Sequence, residues 1–413
     1  MTDGSKGSLL AGLNYRVPAY ANRILYMFGG ITLAAFLILG LSGAYLTQFY
    51  NPSINGAHDS ILSSITNVPL FDFTRSLHFW VANLVIILLL LHITRVFITG
   101  SYKKPRRETW LTGVALLGIT VTYIFIGTVL KWDQEAIEAY GHVQESLGLF
   151  GVQIGLTNAG VPIISQLYAW HITILFLLLL GLLSLHLFMI KAKGISAKPE
   201  KGAVAAVTAG QGQSSFLLHL RRLAGFGLLF LAAASLLAVA SPAPIGQPGV
   251  LEHEVTRPLW MFWPFYGLED LFGLKGLVWG LVGFFAILAL IPFIDRGPYL
   301  HWAKRKLILS FGFVFLAATI GLGVYSRLQP AEAHIEGAEE SSEMATEGGA
   351  VMAEEPAQHE EKITSEQAVE PSPDELDIDH SRLRDEALYL IPAAAVVGLV
   401  GTRLAFKPDK DKE

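Results

Sequence analysis

Four histidines lie in apolar stretches long enough to cross a membrane, and they come as two pairs. His78 and His92 are fourteen residues apart, and His171 and His186 are fifteen apart. Fourteen residues of α-helix end about 40° short of four turns and rise about 21 Å, whereas fifteen end about 60° past four turns. Each pair therefore lies near one face of its helix, at two depths. Titratable groups are costly in hydrocarbon, so those that occur there are functional candidates.

The two helices that carry these histidines are predicted to run in the same direction. His78 and His171 then share the outer depth, while His92 and His186 share the inner depth. Haem iron accepts two axial imidazoles, an arrangement suited to electron transfer. We therefore predict two bis-histidine haem b groups, one at each depth. The alternative, histidines bonded to backbone or to one another, explains a single position better than four in register.

Glycines on two other apolar spans share the fourteen-residue interval. Gly29 and Gly43 lie on the first span, and Gly113 and Gly127 lie on the third. A position without a side chain lets a large group approach the backbone, so these glycines predict close packing against haem. Small residues also mediate ordinary helix packing in membranes, which is the alternative for each pair alone.

Two arginines bracket the first histidine span, Arg75 at one end and Arg95 at the other. Because a guanidinium matches a carboxylate bidentately, each arginine is a candidate partner for a haem propionate. Interfacial anchoring explains Arg95 about as well.

The composition is that of a membrane protein. Of 413 residues, 52% are hydrophobic and 16% are charged, and the mean hydropathy is +0.46. We predict an all-α polytopic membrane protein with a four-helix haem-binding bundle, three further spans and an eighth, C-terminal span. No nucleic-acid partner is expected. The chain has no cysteine, which excludes disulfides, thiolate metal sites and covalently attached haem c. The predicted spans are 26–48, 76–99, 111–131, 168–191, 221–241, 275–294, 306–326 and 388–406.

Basic residues concentrate in alternate connections, at 101–108, 190–202 and 295–306, and in the tail after residue 406. Such connections face the cytoplasm. We expect a multi-pass protein of the prokaryotic cytoplasmic (inner) membrane, with both termini cytoplasmic.

The charge is uneven along the chain. Residues 331–386 contain eighteen acidic and three basic residues, without aromatics or apolar periodicity. This predicts a disordered extracytoplasmic tether, with docking of a basic redox partner as the alternative function. The predicted domains are an N-terminal interfacial segment (1–25), the di-haem bundle (26–200), a flexible linker (201–214), a three-helix region (215–330), the tether (331–386) and the last helix with its basic tail (387–413).

Several motifs resemble the cytochrome b/b6 family, the membrane core of cytochrome bc and b6f complexes. They include RSLH at 75–78, LHITRVFITGSYKKPRRETWLTG at 91–113 and KWDQ at 131–134. The resemblance covers 15–196 closely, and 215–326 resembles the three-helix subunit IV of b6f complexes, here fused.

The resemblance implies a quinol-oxidising subunit of a bc-type complex. One electron would leave an outer site for a Rieske iron–sulfur protein or a c-type cytochrome, and the second would cross the membrane through the two haems to quinone. His78 and His171 would hold the outer haem, and His92 and His186 the inner haem. Contacts with quinone and lipid, and a homodimer within a larger complex, are expected from the resemblance alone.

Three positions depart from the family pattern. Met27 stands where b6 proteins have the cysteine that tethers an extra haem. Lys131 replaces a proline before WDQ. Leu259, in PLWM at 258–261, replaces the glutamate of PEWY, which accepts a quinol proton in the family. A leucine cannot exchange protons. The alternative function is therefore a haem-b conduit that joins the quinone pool to a non-Rieske extracytoplasmic oxidoreductase, for example a multihaem or molybdenum enzyme.

The sequence assigns the quinone sites less clearly than the haem ligands, and it assigns no catalytic residue for quinol oxidation. On the outer side, Asp133, Pro258, Trp260 and Tyr266 are candidates, because the aromatic run at 260–266 would wall an apolar pocket. An aromatic belt at the interface is the alternative. On the inner side Lys191 is a candidate, although lysines are expected there in any case. Other carboxylates that could replace the missing one are Glu135, Glu138, Glu252, Glu254 and Glu269.

Overall fold

The structure, a computed structural model, describes residues 16–205, 213–250, 256–329 and 378–407. It contains eight helices long and apolar enough to cross a membrane, which confirms the predicted fold class. The spanning helices are α1 (Ile24–Leu46), α3 (Phe71–Ile98), α4 (Arg107–Val129), the continuous helix Ile163–Lys193, α8 (Phe216–Ala240), α10 (Leu274–Ile294), α11 (Lys306–Leu328) and α12 (Ser381–Phe406).

Shorter elements fill the connections. The continuous helix consists of α6 (Ile163–Ala169), a π-helical turn (Trp170–Ile174) and α7 (Leu175–Lys193). We call outer the side of the connections after α1, α4 and α8, in line with the predicted orientation. Three short helices lie there: α2 (Ala57–Asn67), α5 (Gln134–Gly148) and α9 (Trp263–Phe272). Two antiparallel strand pairs complete the fold: β1 (Arg16–Pro18) with β4 (Gln213–Ser215), and β2 (Thr157–Asn158) with β3 (Val161–Pro162).

The spanning helices associate in groups that position the histidines. Helix α1 packs along α3, α4 packs along α7, and α8 contacts α1, α3 and α12. Helix α9 packs against α10 and α11, and α10 also contacts α4 and α5. At the centre, Val81 and Val85 of α3 are buried against Ala35 of α1 and Ala234 and Ala238 of α8. Alanines allow helix backbones to approach closely in a membrane.

Local sequence explains where the outer helices begin. Asp133 precedes α5 and its carboxylate accepts from the Ala136 amide at 3.1 Å, which satisfies one free N–H of the first turn. Gly273 separates α9 from α10 with a φ of 65°, a conformation that glycine adopts without steric cost. The break turns the chain from the outer surface into the membrane.

The predicted linker 201–214 is held at both described ends. The Ala205 amide donates to the Pro298 carbonyl at 2.9 Å, and the Leu300 amide donates to Ala203 at 3.0 Å. After the gap, Ser215 pairs with Arg16 in the strand pair. Residues 206–212 of the linker, and 1–15 of the predicted interfacial segment, lie outside the described residues.

Helix α12 begins at Ser381, seven residues before the predicted start of the span and inside the segment predicted as tether. Its first turns are held to α3. The Nδ1 atom of His380 lies 2.6 Å from Asp72, and Glu386 accepts from the Leu70 amide at 2.8 Å. Residues 331–377 of the predicted tether lie outside the described residues.

Substituting Gly225 with leucine is expected to separate α12 from α8. A Cβ at Gly225 would lie 2.7 Å from the Gly401 carbonyl oxygen and against the Ala405 amide, both rigid backbone. Overpacking of this kind costs about 1–3 kcal/mol. Thermal unfolding of the purified protein in detergent should shift down. Gly283→Leu on α10 is the matched control, since a Cβ there meets nothing within 4 Å, and an equal shift in both variants would contradict the close contact.

Candidate haem centres

The structure brings the four histidines together in the predicted pairs. His78 of α3 and His171 of the π-helical turn are close enough to interact electrostatically, and so are His92 and His186. All four rings are partly buried among apolar side chains. The two pairs lie at the two depths expected from the helix rise.

Each α3 histidine faces a glycine of α1. A Cβ built on Gly29 would lie 2.8 Å from the Cε1 atom of His92, and one built on Gly43 would lie 3.3 Å from that of His78. The fourteen-residue interval of the glycines therefore matches that of the histidines in space as well as in sequence. A side chain at either glycine would intrude on the imidazole.

The same relation holds between α4 and the continuous helix. A Cβ on Gly113 would lie 3.4 Å from the Cε1 atom of His186, and one on Gly127 would lie 3.3 Å from that of His171. The contacts that the structure records for these glycines are with the ligand candidates, so their packing against haem stays a prediction.

A hydroxyl group contacts one histidine at each depth. The Ser42 hydroxyl lies 2.9 Å from the Nδ1 atom of His78 and donates its own hydrogen to the Ile38 carbonyl at 2.7 Å. Thr112 lies 3.0 Å from the Nδ1 atom of His186 and likewise donates within its own helix. In the arrangement in which each hydroxyl donates to its own helix, Nδ1 is the donor to the hydroxyl oxygen. The Nε2 atom then carries the lone pair that a metal requires.

The π-helical turn explains the unequal histidine spacings. The Leu175 amide donates to the Trp170 carbonyl, five residues earlier, so the turn from Trp170 to Ile174 holds one residue more than an α turn. His171 lies in this turn, ahead of His186. Because the wide turn takes up the extra residue, His171 and His186 are separated by the same rotation around the helix axis as two residues fourteen apart in an α-helix. This equals the rotation between His78 and His92 on α3. A π turn inside an α-helix often marks a functional site.

These residues fit haem. In the described ranges no group of three or more histidine, cysteine, aspartate or glutamate side chains could hold a metal ion. Two imidazoles at each depth therefore suit a metal that brings its own equatorial ligands, as haem iron does. At each of the four glycines, the nearest side chain of another residue is one of these histidines.

Replacing Ser42 with alanine is expected to weaken binding of the outer haem. Loss of the group that orients a metal-bound histidine typically costs about 10- to 100-fold in affinity. Haem retention during dilution in detergent would measure the change. Ser184→Ala is the control, because the Ser184 hydroxyl makes the same bond to a carbonyl four residues earlier but is not recorded against a histidine. Equal retention in the two variants would contradict an orienting role for Ser42.

The two arginines differ in their surroundings. Arg75 is buried, and its guanidinium donates to the Ala243 carbonyl at 2.7 Å and to Pro244. The Arg95 guanidinium lies 3.9 Å from the ring centroid of Tyr26, and its Nε atom has no hydrogen-bond partner among the described residues. Arg95 thus retains donor capacity for a propionate, while Arg75 ties α3 to the loop after α8. Both propionate roles stay predictions.

Asp133 lies in a buried ion-pair cluster. Its carboxylate is 3.0 Å from the Lys131 ammonium and also accepts from the Gly246 amide at 3.0 Å. Lys131, the departure from the family motif, bridges to Glu135 as well. Burial raises the pKa of the Glu135 carboxyl, and Lys131 opposes that rise. Asp133 therefore already has a structural role, as cap and ion-pair partner, whereas the side chain of Lys191 is exposed at the inner end of α7.

The aromatic run lies where α9 begins. The Trp260 indole donates to the Asn83 side-chain oxygen of α3 at 2.8 Å, which places the PLWM segment against the outer part of the histidine helix. The Trp263 indole donates to the Pro258 carbonyl at 2.8 Å. Tyr266 contacts His142 of α5, with ring centroids 5.2 Å apart. Pro258, Trp260 and Tyr266 are therefore close in one region, and their roles toward quinone stay predictions.

Four further residues contact the site residues, and a sequence pattern marks only two of them. Ser42 and Thr112 each precede a glycine of the fourteen-residue pattern, and this repeated pair of a hydroxyl residue and a glycine is visible in the sequence. Asn83 and His142 give no local signal, because their partners come from distant segments. Glu252 and Glu254 lie outside the described residues.

Known proteins resemble part of this chain in sequence and most of it in fold. A family model described as cytochrome b (N-terminal)/b6/petB matches residues 83–248. Cytochrome b6 of Acaryochloris marina is 37% identical over 188 residues, which are 44% of this chain and 87% of the relative. Cytochrome b6 of Heliobacterium mobile is 38% identical over 190 residues, 44% of this chain and 88% of the relative. A solved chain titled hyperthermophilic respiratory Complex III has the same fold, with a TM-score of 0.66 at 22% identity over 80% of this chain and 91% of that one.

Eight apolar spans in the described residues, together with the cytochrome b6 relatives, define a polytopic membrane protein of electron transfer. The chain belongs to the cytochrome b/b6 family, with a b6-like half followed by a region that resembles subunit IV. It is a multi-pass membrane cytochrome b and a subunit of a quinol oxidoreductase, and the family implies haem b as its cofactor.

Proposed function

We propose that this chain carries electrons across the membrane between two haem b groups, each ligated by two histidines. His78 and His171 hold the outer haem, and His92 and His186 hold the inner one. The observation that carries the proposal is the registry in space, in which each histidine of a pair meets a glycine of the neighbouring helix at the same depth. Haem b supplies a reversible one-electron couple when it is bound.

The protein side of this task is ligation and orientation. The four imidazoles supply Nε2, and the hydroxyls of Ser42 and Thr112 hold two of the rings. Two histidines close the coordination sphere of an iron, which favours electron transfer over oxygen chemistry. We further propose that Arg75 and Arg95 bind propionates, and that the four paired glycines make room for the haem edges.

We infer that the quinol site lies on the outer side, between α5 and the start of α9. We assign Asp133, Pro258, Trp260 and Tyr266 to this outer site and Lys191 to the inner site. A Rieske iron–sulfur protein or a c-type cytochrome is the proposed electron acceptor. The complex is proposed to be a homodimer in a prokaryotic cytoplasmic membrane, with both termini of the chain cytoplasmic.

A second candidate function is favoured by one residue. Leu259 stands where the family has the proton-accepting glutamate, so the outer site lacks its usual acid–base group. In this alternative the chain joins the quinone pool to a non-Rieske extracytoplasmic oxidoreductase through one working quinone site.

Purification of the native complex tests both candidates. A pyridine haemochrome assay should give two b haems per chain, and any other number would overturn the ligand assignment. Electron paramagnetic resonance and mass spectrometry of the same sample should find a Rieske centre. A complex with two b haems and a multihaem or molybdenum partner instead would support the second candidate.

A further inference from the structure

The outer site needs a proton acceptor, and the position that would normally provide one is Leu259. Oxidation of a quinol releases two protons with two electrons. The region around PLWM (258–261) must therefore contain another titratable group if quinol is oxidised there. Helix α9 starts directly after this segment, at Trp263, and it faces α5.

A cluster of titratable side chains joins these two helices. The Nδ1 atom of His142 on α5 lies 3.8 Å from the carboxylate of Glu269 on α9 and 3.8 Å from that of Glu145 on α5. The ring of Tyr266 meets the His142 ring edge-on, with centroids 5.2 Å apart. The side chains of His142 and Glu269 are 17% and 14% exposed, whereas that of Glu145 is 52% exposed. The cluster thus runs from a sheltered end to a solvent-facing end.

The other nearby carboxylates already have structural partners. Glu138 accepts from the Thr256 amide at 3.0 Å and from the Gln134 side chain at 3.0 Å, which fixes the start of the segment leading to PLWM. Asp133 and Glu135 share the Lys131 ammonium. Protonating any of these would break an anchoring contact. His142 and Glu269 are joined to each other rather than to a lysine, with the imidazole Nδ1 atom 3.8 Å from the carboxylate.

We propose that His142, together with Glu269, accepts the quinol proton at the outer site in place of a carboxyl at position 259, and releases it through Glu145. This inference rests on the proposed function, which supplies the quinol and the two electron acceptors. The first quinol O–H bond that breaks gives its proton to the His142 imidazole as a new N–H bond, and Glu145 passes this proton to solvent before the second O–H bond breaks in the same way. The two electrons leave for the acceptors, and quinone remains.

The chemistry of the cluster suits this task. An imidazole titrates near pH 6.5 when unperturbed, close to neutral working pH, where a general base is most effective. Among the described residues, Glu145 from its own helix and Glu269 and Tyr266 from α9 lie beside His142. Carboxylates at this distance favour the protonated imidazole. Burial raises the pKa of the Glu145 carboxyl, which brings this last carrier nearer to the imidazole in proton affinity.

The experiment compares two histidine variants in the purified complex. His142→Asn removes the titratable ring, and His301→Asn makes the same change on the opposite side, where the histidine accepts from the Ala303 amide and its ring contacts Trp302. Quinol oxidation by His142→Asn should fall by on the order of tenfold or more, and its rise with pH should lose the inflection of the wild type. His301→Asn should keep both the rate and the profile. Adding Leu259→Glu to His142→Asn should restore much of the rate.

Two further measurements separate proton transfer from folding and binding. Haem content and the quinol KM should be unchanged in His142→Asn, so that the loss is confined to kcat. If that variant loses haem, Glu269→Gln takes its place, with the same expected change of the pH profile. Wild-type rates and pH profiles in both variants would overturn the inference. A wild-type complex that oxidises no quinol at the outer site would instead overturn the proposed function.

Discussion

Replacing His92 with leucine is expected to lower the haem content from two b haems per chain to one. An iron with two axial imidazoles depends on both, and leucine offers no lone pair. The outer pair should survive, because His78 lies about 21 Å away along the helix and is held by its own hydroxyl and glycine, Ser42 and Gly43. A pyridine haemochrome assay and a redox titration would measure the change, the titration losing one of two components.

Two companion variants make this result specific. His78→Leu should remove the other redox component and keep the one that His92→Leu loses. His219→Gln is the control, since His219 lies on α8, bonds to Asn22 at 2.9 Å and belongs to neither pair. Two low-spin haems in His92→Leu would contradict the assignment, as would loss of the same component in both leucine variants.

Deleting one residue is expected to have opposite consequences in the two histidine helices. Removal of Thr173 takes the extra residue out of the π-helical turn and leaves a plain α-helix in which the two histidines, His171 and His186, are fourteen residues apart. Both haems should remain. Removal of Ile87 from α3 should turn His92 by about 100° and shift it by about 1.5 Å relative to His78, because α3 has no wide turn to absorb the change. At least one haem should be lost.

The same assay measures both deletions, and each variant is the control for the other. Thr173 and Ile87 are single residues within apolar spans, so a general effect of shortening a membrane helix would appear in both. Equal loss in the two variants would contradict the idea that the π turn sets the phase of His171.

Much of this architecture was predictable because hydrocarbon imposes strict rules. A membrane span needs about 20 apolar residues, so all eight spans could be located, including α12 despite Pro392. The two tiers of histidines follow from the helix rise alone. The start of α12 at Ser381 was missed, since its first turns contain Arg382, Arg384 and Glu386, and their contacts with α3 cannot be read locally.

The finer site was beyond sequence reasoning for two physical reasons. An ideal α-helix of 3.6 residues per turn puts His186 at the wrong angle around the helix axis relative to His171. The π-helical turn corrects this angle, and no distinctive residue in the sequence marks it. The cluster of His142 with Glu269 depends on how α9 packs against α5, which joins segments more than a hundred residues apart. The Ser42 and Thr112 hydroxyls are visible in the sequence as a repeated pattern, but the sequence does not show that their partners are His78 and His186.

The attachment of α12 to α8 also bears on assembly. Because both helices belong to one polypeptide, their contact forms at an effective concentration that the connecting chain sets, rather than at the dilution of a separate subunit. A contact too weak to recruit a free single-span protein is then sufficient, and its stoichiometry is fixed at one to one. Cutting the chain between α11 and α12 would turn the last helix into a dissociable subunit.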